Sequence, residues 1–202
     1  MKLYYSPGAC SLSPHIVLCE SGLSFEAVKT DLKTHKLTDG SDFYAVNSKG
    51  YVPLLELDSG ERLSEGPAIL QYIADQVAAK NLAPANGTMA RYRLQEWLNF
   101  ITAELHKGFG ALFNPAMPEE AKALSRTKLT QRFKWVDEQL EGKEYLAGEG
   151  FSVADAYLFT VTNWCSHVGL DIGSLPNLKA YMARVAARPA VQQAMKAEGL
   201  IK

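Results

Sequence analysis

Short apolar runs with strand-like spacing fill the first third of the chain, and helical spacing takes over afterwards. Leu3-Tyr4-Tyr5 is an apolar run stopped by Ser6-Pro7-Gly8, which predicts a strand and the turn that ends it. Ser13-Pro14 opens a helix, because the N–H that proline lacks has no partner in a first helical turn. Ile16, Val17 and Leu18 lie in that helix and Gly22 ends it. Phe25 to Thr30 alternates as a second strand, whereas Asp31 to Ser41 is polar and irregular, with Lys33, His35 and Lys36 close together. A helical turn is expected over Asp42 to Asn47. Leu54 to Leu57, the turn Asp58-Ser59-Gly60 and Glu61 to Leu63 read as a hairpin. After Pro67, the residues Ile69, Tyr72, Ile73 and Val77 recur at helical spacing.

Leu82-Ala83-Pro84-Ala85-Asn86-Gly87 breaks the pattern, and nothing beyond it reads as strand. The expected organisation is an α/β domain over 1–81, a linker over 82–87 and an all-helical domain over 88–202. Thr88 can cap a long helix from Met89 toward Phe113, whose apolar stripe is Leu94, Trp97, Leu98, Ile101, Leu105, Phe109 and Leu112. Asn99, Ala103, His106 and Gly110 fall on one flank of that helix, and Glu104 on the opposite one. A further helix starts after Pro118 and stops at Gly142. Ser152 and Asp155 have capping-box spacing ahead of an apolar helix, Ala156 to Val168, that looks buried on most sides. Pro176 opens a helix that ends before Arg188-Pro189, and Ala190 to Ala197 supplies a last one.

Composition narrows the field. A chain of 202 residues with 47% hydrophobic and 21% charged content has ordinary globular character. Its net charge of -1 supplies no electrostatic footprint for nucleic acid or an anionic membrane surface. Cys10, Cys19 and Cys165 are too widely spaced for a disulfide framework or a zinc signature, so no metal and a reducing compartment are expected. The longest apolar stretch, Val153 to Cys165, contains Asp155 and Asn163 and so predicts no membrane span. No signal-peptide pattern precedes the first strand, and a cytoplasmic location is the expectation.

Three positions carry candidate chemistry. Cys10 lies at a strand-to-helix junction, where the positive end of a helix stabilises a thiolate. Its rival reading is a small buried apolar residue. Ser64-Glu65-Gly66-Pro67 opens a helix whose first N–H groups can take an anion, while Glu65 can receive an ammonium. That pairing suits the α-amino acid end of a ligand, although an acidic residue in a first turn also merely complements the dipole. His106 is open between a structural and a chemical role. Cys19 and Cys165 read as packing residues.

The strand-helix-strand-helix-strand-strand-helix order, with Cys10 after strand one and Val52-Pro53 before strand three, resembles a thioredoxin-like domain and implies a cis bond at Pro53. Adding Glu65-Gly66, Ser152-x-x-Asp155 and the helical half, the whole chain resembles a cytosolic glutathione S-transferase. Ser6-Pro7-Gly8-Ala9-Cys10-Ser11-Leu12-Ser13 and Glu104-Leu105-His106-Lys107-Gly108-Phe109 are similar to the bacterial beta class. The resemblance implies a thioredoxin-like α/β N-terminal domain, an all-α C-terminal domain and a homodimer. It implies that Glu65 and the Gly66 N–H hold the γ-glutamyl end of glutathione, that the Val52 backbone pairs with its cysteinyl backbone, and that Cys10 lies against its sulfur. Asn99, Glu104 and His106 match positions that complete the site, with Glu104 oriented toward that of a neighbouring subunit. His35 stands where the family carries a lysine against the glycyl carboxylate, so glutathione affinity is expected to weaken as pH rises through about 6–7. Ala103 replaces a common hydroxyl residue.

The implied activity is attack of a glutathione thiolate on a hydrophobic electrophile, a detoxification reaction, with Cys10 and His106 as catalytic residues. Two neighbouring thiolates repel, so Cys10 either donates as a thiol or forms a mixed disulfide with glutathione. A monothiol glutathione-dependent thiol-disulfide oxidoreductase and a non-catalytic binder of apolar compounds are the alternatives. Phe109, Phe113, Tyr157, Trp164 and His167 are candidates to line an electrophile pocket.

Overall fold

Lys2–Tyr5 (β1) forms the central strand of a five-stranded sheet in a computed structural model that describes residues 1–148 and 150–202. The strand order is β3-β2-β1-β4-β5, with β2 at Glu26–Asp31, β3 at Lys36–Leu37, β4 at Leu54–Glu56 and β5 at Arg62–Ser64. β1 pairs parallel to β2 and antiparallel to β4, with Leu3 opposite Ala27 on one side and Leu55 on the other. The hairpin β4–β5 sets Leu55 against Leu63, and β2–β3 is antiparallel. Leu3 and Leu55 have no exposed surface, as expected for strands covered on both faces.

Helix α1 (Leu12–Ser21) is apolar on nearly every side and packs against both α2 (Gly66–Gln76) and α8 (Pro189–Ala197). Gly22, at φ 74°, ends α1 in the left-handed region that glycine enters without a Cβ penalty. The expected turn over 42–47 is a 3₁₀ turn, Phe43–Ala45, started by Asp42, whose carboxylate accepts the Tyr44 N–H. The expected irregular stretch 31–41 differs, since it contributes β3; two residues of pairing are too few to leave a periodic signal.

The chain falls into two compact units, Met1–Leu82 with Ala187–Lys202 and Ala83–Ala186. The sequence placed 88–202 in one helical domain, but the structure groups α8 and the tail with the α/β unit. Ion pairing and burial, neither visible in helical spacing, make that assignment. Arg188 holds Glu20 of α1 through bonds of 2.6 and 3.1 Å, and Glu198 is buried against the N-terminal segment.

In the helical unit, Thr88 caps α3 (Met89–Phe100) by accepting the Arg91 N–H. The helix expected to Phe113 runs there without a break, but it changes register on the way. A π-helical segment, Ile101–His106, is followed by a 3₁₀ turn, Lys107–Phe109, and the short helix α4 (Gly110–Phe113). The Thr102 hydroxyl donates to the Leu98 carbonyl at 2.8 Å where the register widens. Leu94, Leu98, Ile101, Leu105 and Phe109 stay buried along this stretch, while Asn99, Ala103 and Gly110 are exposed and His106 is half-buried, so the expected flank keeps its pattern of exposure.

α6 (Val153–His167) packs against α3, the π segment and α7 (Pro176–Ala186), α5 (Glu119–Gln139) packs against the π segment and α7, and α6 is buried along most of its length. Asp155 has no exposed surface; its carboxylate accepts from the N–H groups of Leu146 and Ser152 at 2.9 and 2.8 Å, and from the hydroxyls of Ser152 and Tyr181 at 2.7 and 3.1 Å. Burial, then the Asp155 charge, pushes the Tyr181 hydroxyl well above its usual range, which keeps it a donor. Among the described residues, no helix is long and apolar enough to cross a membrane.

Candidate functional site

Cys10 is set by the loop between β1 and α1. Ser11 Oγ accepts the Ser6 N–H at 3.1 Å and donates to the Ser6 carbonyl at 3.2 Å, closing that loop on itself. The Cys10 carbonyl accepts from both the N–H and the hydroxyl of Ser13, at 3.2 and 2.8 Å. These bonds orient the half-buried thiol, which donates to the Val52 carbonyl at 3.2 Å. Val52 precedes a cis Val52–Pro53 bond, as the sequence layout implied. Its side chain belongs to a cluster with Tyr4, Phe43 and Leu54. The sequence positions Cys10 and Val52 are thus brought together.

Glu65 and Gly66 begin α2, and Glu65 is held at φ 72°, ψ 115°. Non-glycine residues in such regions cost about 1–3 kcal/mol and persist where surrounding structure imposes them. The Glu65 carboxylate is exposed and accepts from the Lys49 ammonium at 2.9 Å, and Lys49 also donates to Ser64 Oγ at 3.1 Å. A carboxylate of this placement takes an ammonium, and the helix start behind it offers N–H groups to an anion. Lys49 was not among the expected residues, since a lysine in a Ser-Lys-Gly loop carries no distinguishing pattern.

His35 sits in the left-handed region at φ 53°, its ring 4.5 Å from that of Tyr44 and its Nδ1 buried without a hydrogen-bond partner. Gly50 makes room for it: at φ 65°, a Cβ there would stand 2.6 Å from Tyr44 and 2.9 Å from His35 Nδ1. Only glycine satisfies both the backbone and the space.

The helical unit orients a different set. His106, half-buried, is hydrogen-bonded through Nδ1 to the Tyr157 hydroxyl at 2.6 Å, with Trp164 edge-on at 4.9 Å. Glu104 faces another helix, accepting from Arg132 at 2.7 Å and pairing with Lys128 at 3.4 Å. The Arg132 guanidinium holds its carboxyl below the usual range. Asn99 is exposed on α3. Of the expected pocket aromatics, Phe109, Phe113 and Trp164 meet at 5.5–6.0 Å between ring centres, with Phe109 fully buried and Phe113 half-exposed. His167 is exposed and bonds back to its own helix. The Tyr157 contact with His106 was missed, because the two lie 51 positions apart and nothing in either helix's spacing signals it.

The other thiols are inert. Burial pushes Cys19 up to about 11 and Cys165 up to about 12. Among the described residues, no cluster of histidine, cysteine or carboxylate side chains is arranged to hold a metal.

A thioredoxin-like sheet with a thiol at the end of its first strand, joined to a helical unit with an oriented histidine, defines a class of two-domain protein. Comparison with known proteins identifies the family. Residues 1–75 match the glutathione S-transferase N-terminal domain and residues 100–189 the C-terminal domain. The chain is 48% identical over 200 residues to glutathione S-transferase GstA of Escherichia coli O157:H7, covering 99% of this chain and 100% of that protein. A sphingomonad glutathione S-transferase solved in complex with glutathione is 52% identical, with TM-score 0.96 and complete coverage of both chains, 100% each. The bacterial beta class enzyme of Sphingomonas chungbukensis is 53% identical, with TM-score 0.97 and 100% of both chains covered. The chain belongs to the glutathione S-transferase family, in its bacterial beta class. It is an enzyme of the glutathione S-transferase type.

Proposed function

We propose that the enzyme conjugates the glutathione thiolate to hydrophobic electrophiles, with Cys10 beside the glutathione sulfur. The observation that carries this reading is the Cys10 thiol donating to the Val52 carbonyl at 3.2 Å, in the unit that also presents Glu65 at the start of α2. The Val52 backbone pairs with the cysteinyl backbone of the ligand, and Glu65 with the Gly66 N–H takes its γ-glutamyl end, displacing Lys49 from the carboxylate. His35 takes the glycyl carboxylate. By the family resemblance, Asn99 and His106 serve the same co-substrate, His106 as a catalytic donor to the sulfur, and Glu104 serves that of a neighbouring subunit.

Conjugation needs the thiolate, and lowering a thiol pKa by two units takes about 2.7 kcal/mol of differential stabilisation. Hydrogen bonds from a thiol and an imidazole to one sulfur anion are of that magnitude. Detoxification of apolar compounds, a cytoplasmic location and a homodimer in which Glu104 serves the neighbouring subunit complete the reading. Light scattering on the eluted protein tests the dimer.

The half-buried Cys10 thiol favours one second reading, a monothiol oxidoreductase. In it the Cys10 thiolate attacks a mixed disulfide R–S–SG, giving Cys10–S–SG and releasing R–S⁻, and a second glutathione thiolate regenerates Cys10 and leaves as glutathione disulfide. Conjugation of an aromatic halide is the test. Activity that persists in a Cys10→Ala, His106→Ala double variant overturns the assignment of those residues. No turnover in the parent protein leaves a binder of apolar compounds. Intact mass before and after reductant separates a donor thiol from a mixed disulfide.

A further inference from the structure

We propose that Tyr157 is a positioning residue for His106, fixing the imidazole as its Nε2–H tautomer so that it presents a donor instead of a lone pair. This rests on the reading of His106 as a residue of the glutathione site.

The Tyr157 hydroxyl and His106 Nδ1 are 2.6 Å apart, and one proton lies between them. Bonds donated by an N–H to oxygen run from about 2.7 Å upward, so a contact shorter than that disfavours the imidazole as donor. A phenol O–H is also the more acidic donor and an imidazole nitrogen the more basic acceptor of the two. Both arguments put the proton on Tyr157, with Nδ1 accepting.

Thr102 is the competing neighbour of the phenol. Its single hydroxyl proton goes to the Leu98 carbonyl at 2.8 Å, so toward Tyr157, at 3.4 Å, it has no second proton to give. A contact of 3.4 Å is a weak claim on the phenol proton beside one of 2.6 Å. The phenol is 2% exposed and Trp164, 8% exposed, stands edge-on to the imidazole at 71°, so the ring is packed from that side.

A neutral imidazole with Nδ1 accepting carries its hydrogen on Nε2. Toward an anionic sulfur an N–H donor is attractive, and the opposite tautomer would offer a lone pair and repel it. Tyr157 therefore selects which of two chemistries His106 performs, stabilising a thiolate instead of abstracting a proton. The role needs the phenol oxygen; Phe would fill the same space without setting the tautomer.

The test is a long-range ¹H–¹⁵N correlation spectrum of histidine-labelled full-length protein at pH about 8.5, where imidazoles are neutral as a class. A His106→Asn variant assigns the His106 signals. The expected result is a pure Nε2–H pattern in the parent protein and a mixture of tautomers in Tyr157→Phe. An Nδ1–H pattern in the parent overturns the proposal, as does an unchanged pure Nε2–H pattern in a folded Tyr157→Phe variant. Conjugation by Tyr157→Phe is expected to lose about 5- to 10-fold in kcat with little change in the glutathione KM. If His106→Asn keeps full activity while the spectra come out as expected, the tautomer assignment stands and the reading of His106 as a site residue fails.

Discussion

The carboxylate of Glu198, from the tail beyond α8, accepts the backbone N–H of Gly8 at 2.9 Å, two residues before Cys10. Its other oxygen is 2.8 Å from His15 Nδ1 on α1, and the Glu198 side chain has no exposed surface. The same charge, after burial itself, pushes the Tyr5 hydroxyl above its usual range. The last turn of the chain thus fixes the loop that carries the thiol. Glu198→Ala removes the acceptor of the part-buried Gly8 N–H and of the buried His15 imidazole, and leaving a buried polar group without its partner costs about 1–3 kcal/mol. Urea unfolding should show a loss of about 3 kcal/mol, and the glutathione KM should rise several-fold as the Cys10 loop loosens. Glu198→Gln, which keeps an acceptor oxygen, should lose less on both measures.

Alkylation should distinguish the three thiols. With Cys19 up at about 11 and Cys165 at about 12, fewer than about one part in a hundred of either is thiolate near pH 8. Peptide mapping after brief iodoacetamide treatment is expected to find the label on Cys10, with glutathione slowing its addition. Label on Cys19 at a comparable rate would contradict the burial of that thiol.

His35 is tested by substitution. A lysine ammonium attracts a carboxylate more strongly than a neutral imidazole does, so glutathione affinity measured by calorimetry should rise in His35→Lys and fall in His35→Ala. Unchanged affinity in both variants excludes the His35 contact. Gly50→Ala should weaken binding by the same route, because its Cβ would displace the His35 and Tyr44 rings.

Asp155 tests the helical unit alone. It gathers four donors at no more than 3.1 Å from Leu146, Ser152 and Tyr181. Each buried donor left without its acceptor costs about 1–3 kcal/mol. Asp155→Ala should lower the urea midpoint sharply, and Asp155→Asn should recover part of the loss.

Much of this was legible in the chain. Glycine and proline punctuation gave β1, α1 and the β4–β5 hairpin, and the Ser152–Asp155 spacing gave the start of α6. Cys10, Glu65 and Gly66 could be singled out because turn residues and helix starts have local signatures. Other features had none. The π segment at 101–106 widens the backbone register while Leu98, Ile101, Leu105 and Phe109 all stay buried, so the apolar stripe does not signal it. Lys49 and Tyr157 look ordinary until folding sets them on Glu65 and His106.

Local physics therefore determined which segments are strands and helices, and which few residues stand at their ends. Spacing and turn chemistry act over a handful of residues, and the sequence displays them directly. Tertiary structure alone decided that the tail from Ala187 belongs with the N-terminal sheet, that the Cys10 thiol meets the Val52 carbonyl, and that Tyr157 holds His106. Those relationships join residues 42 or more positions apart through single hydrogen bonds and buried charge, and no periodicity records them.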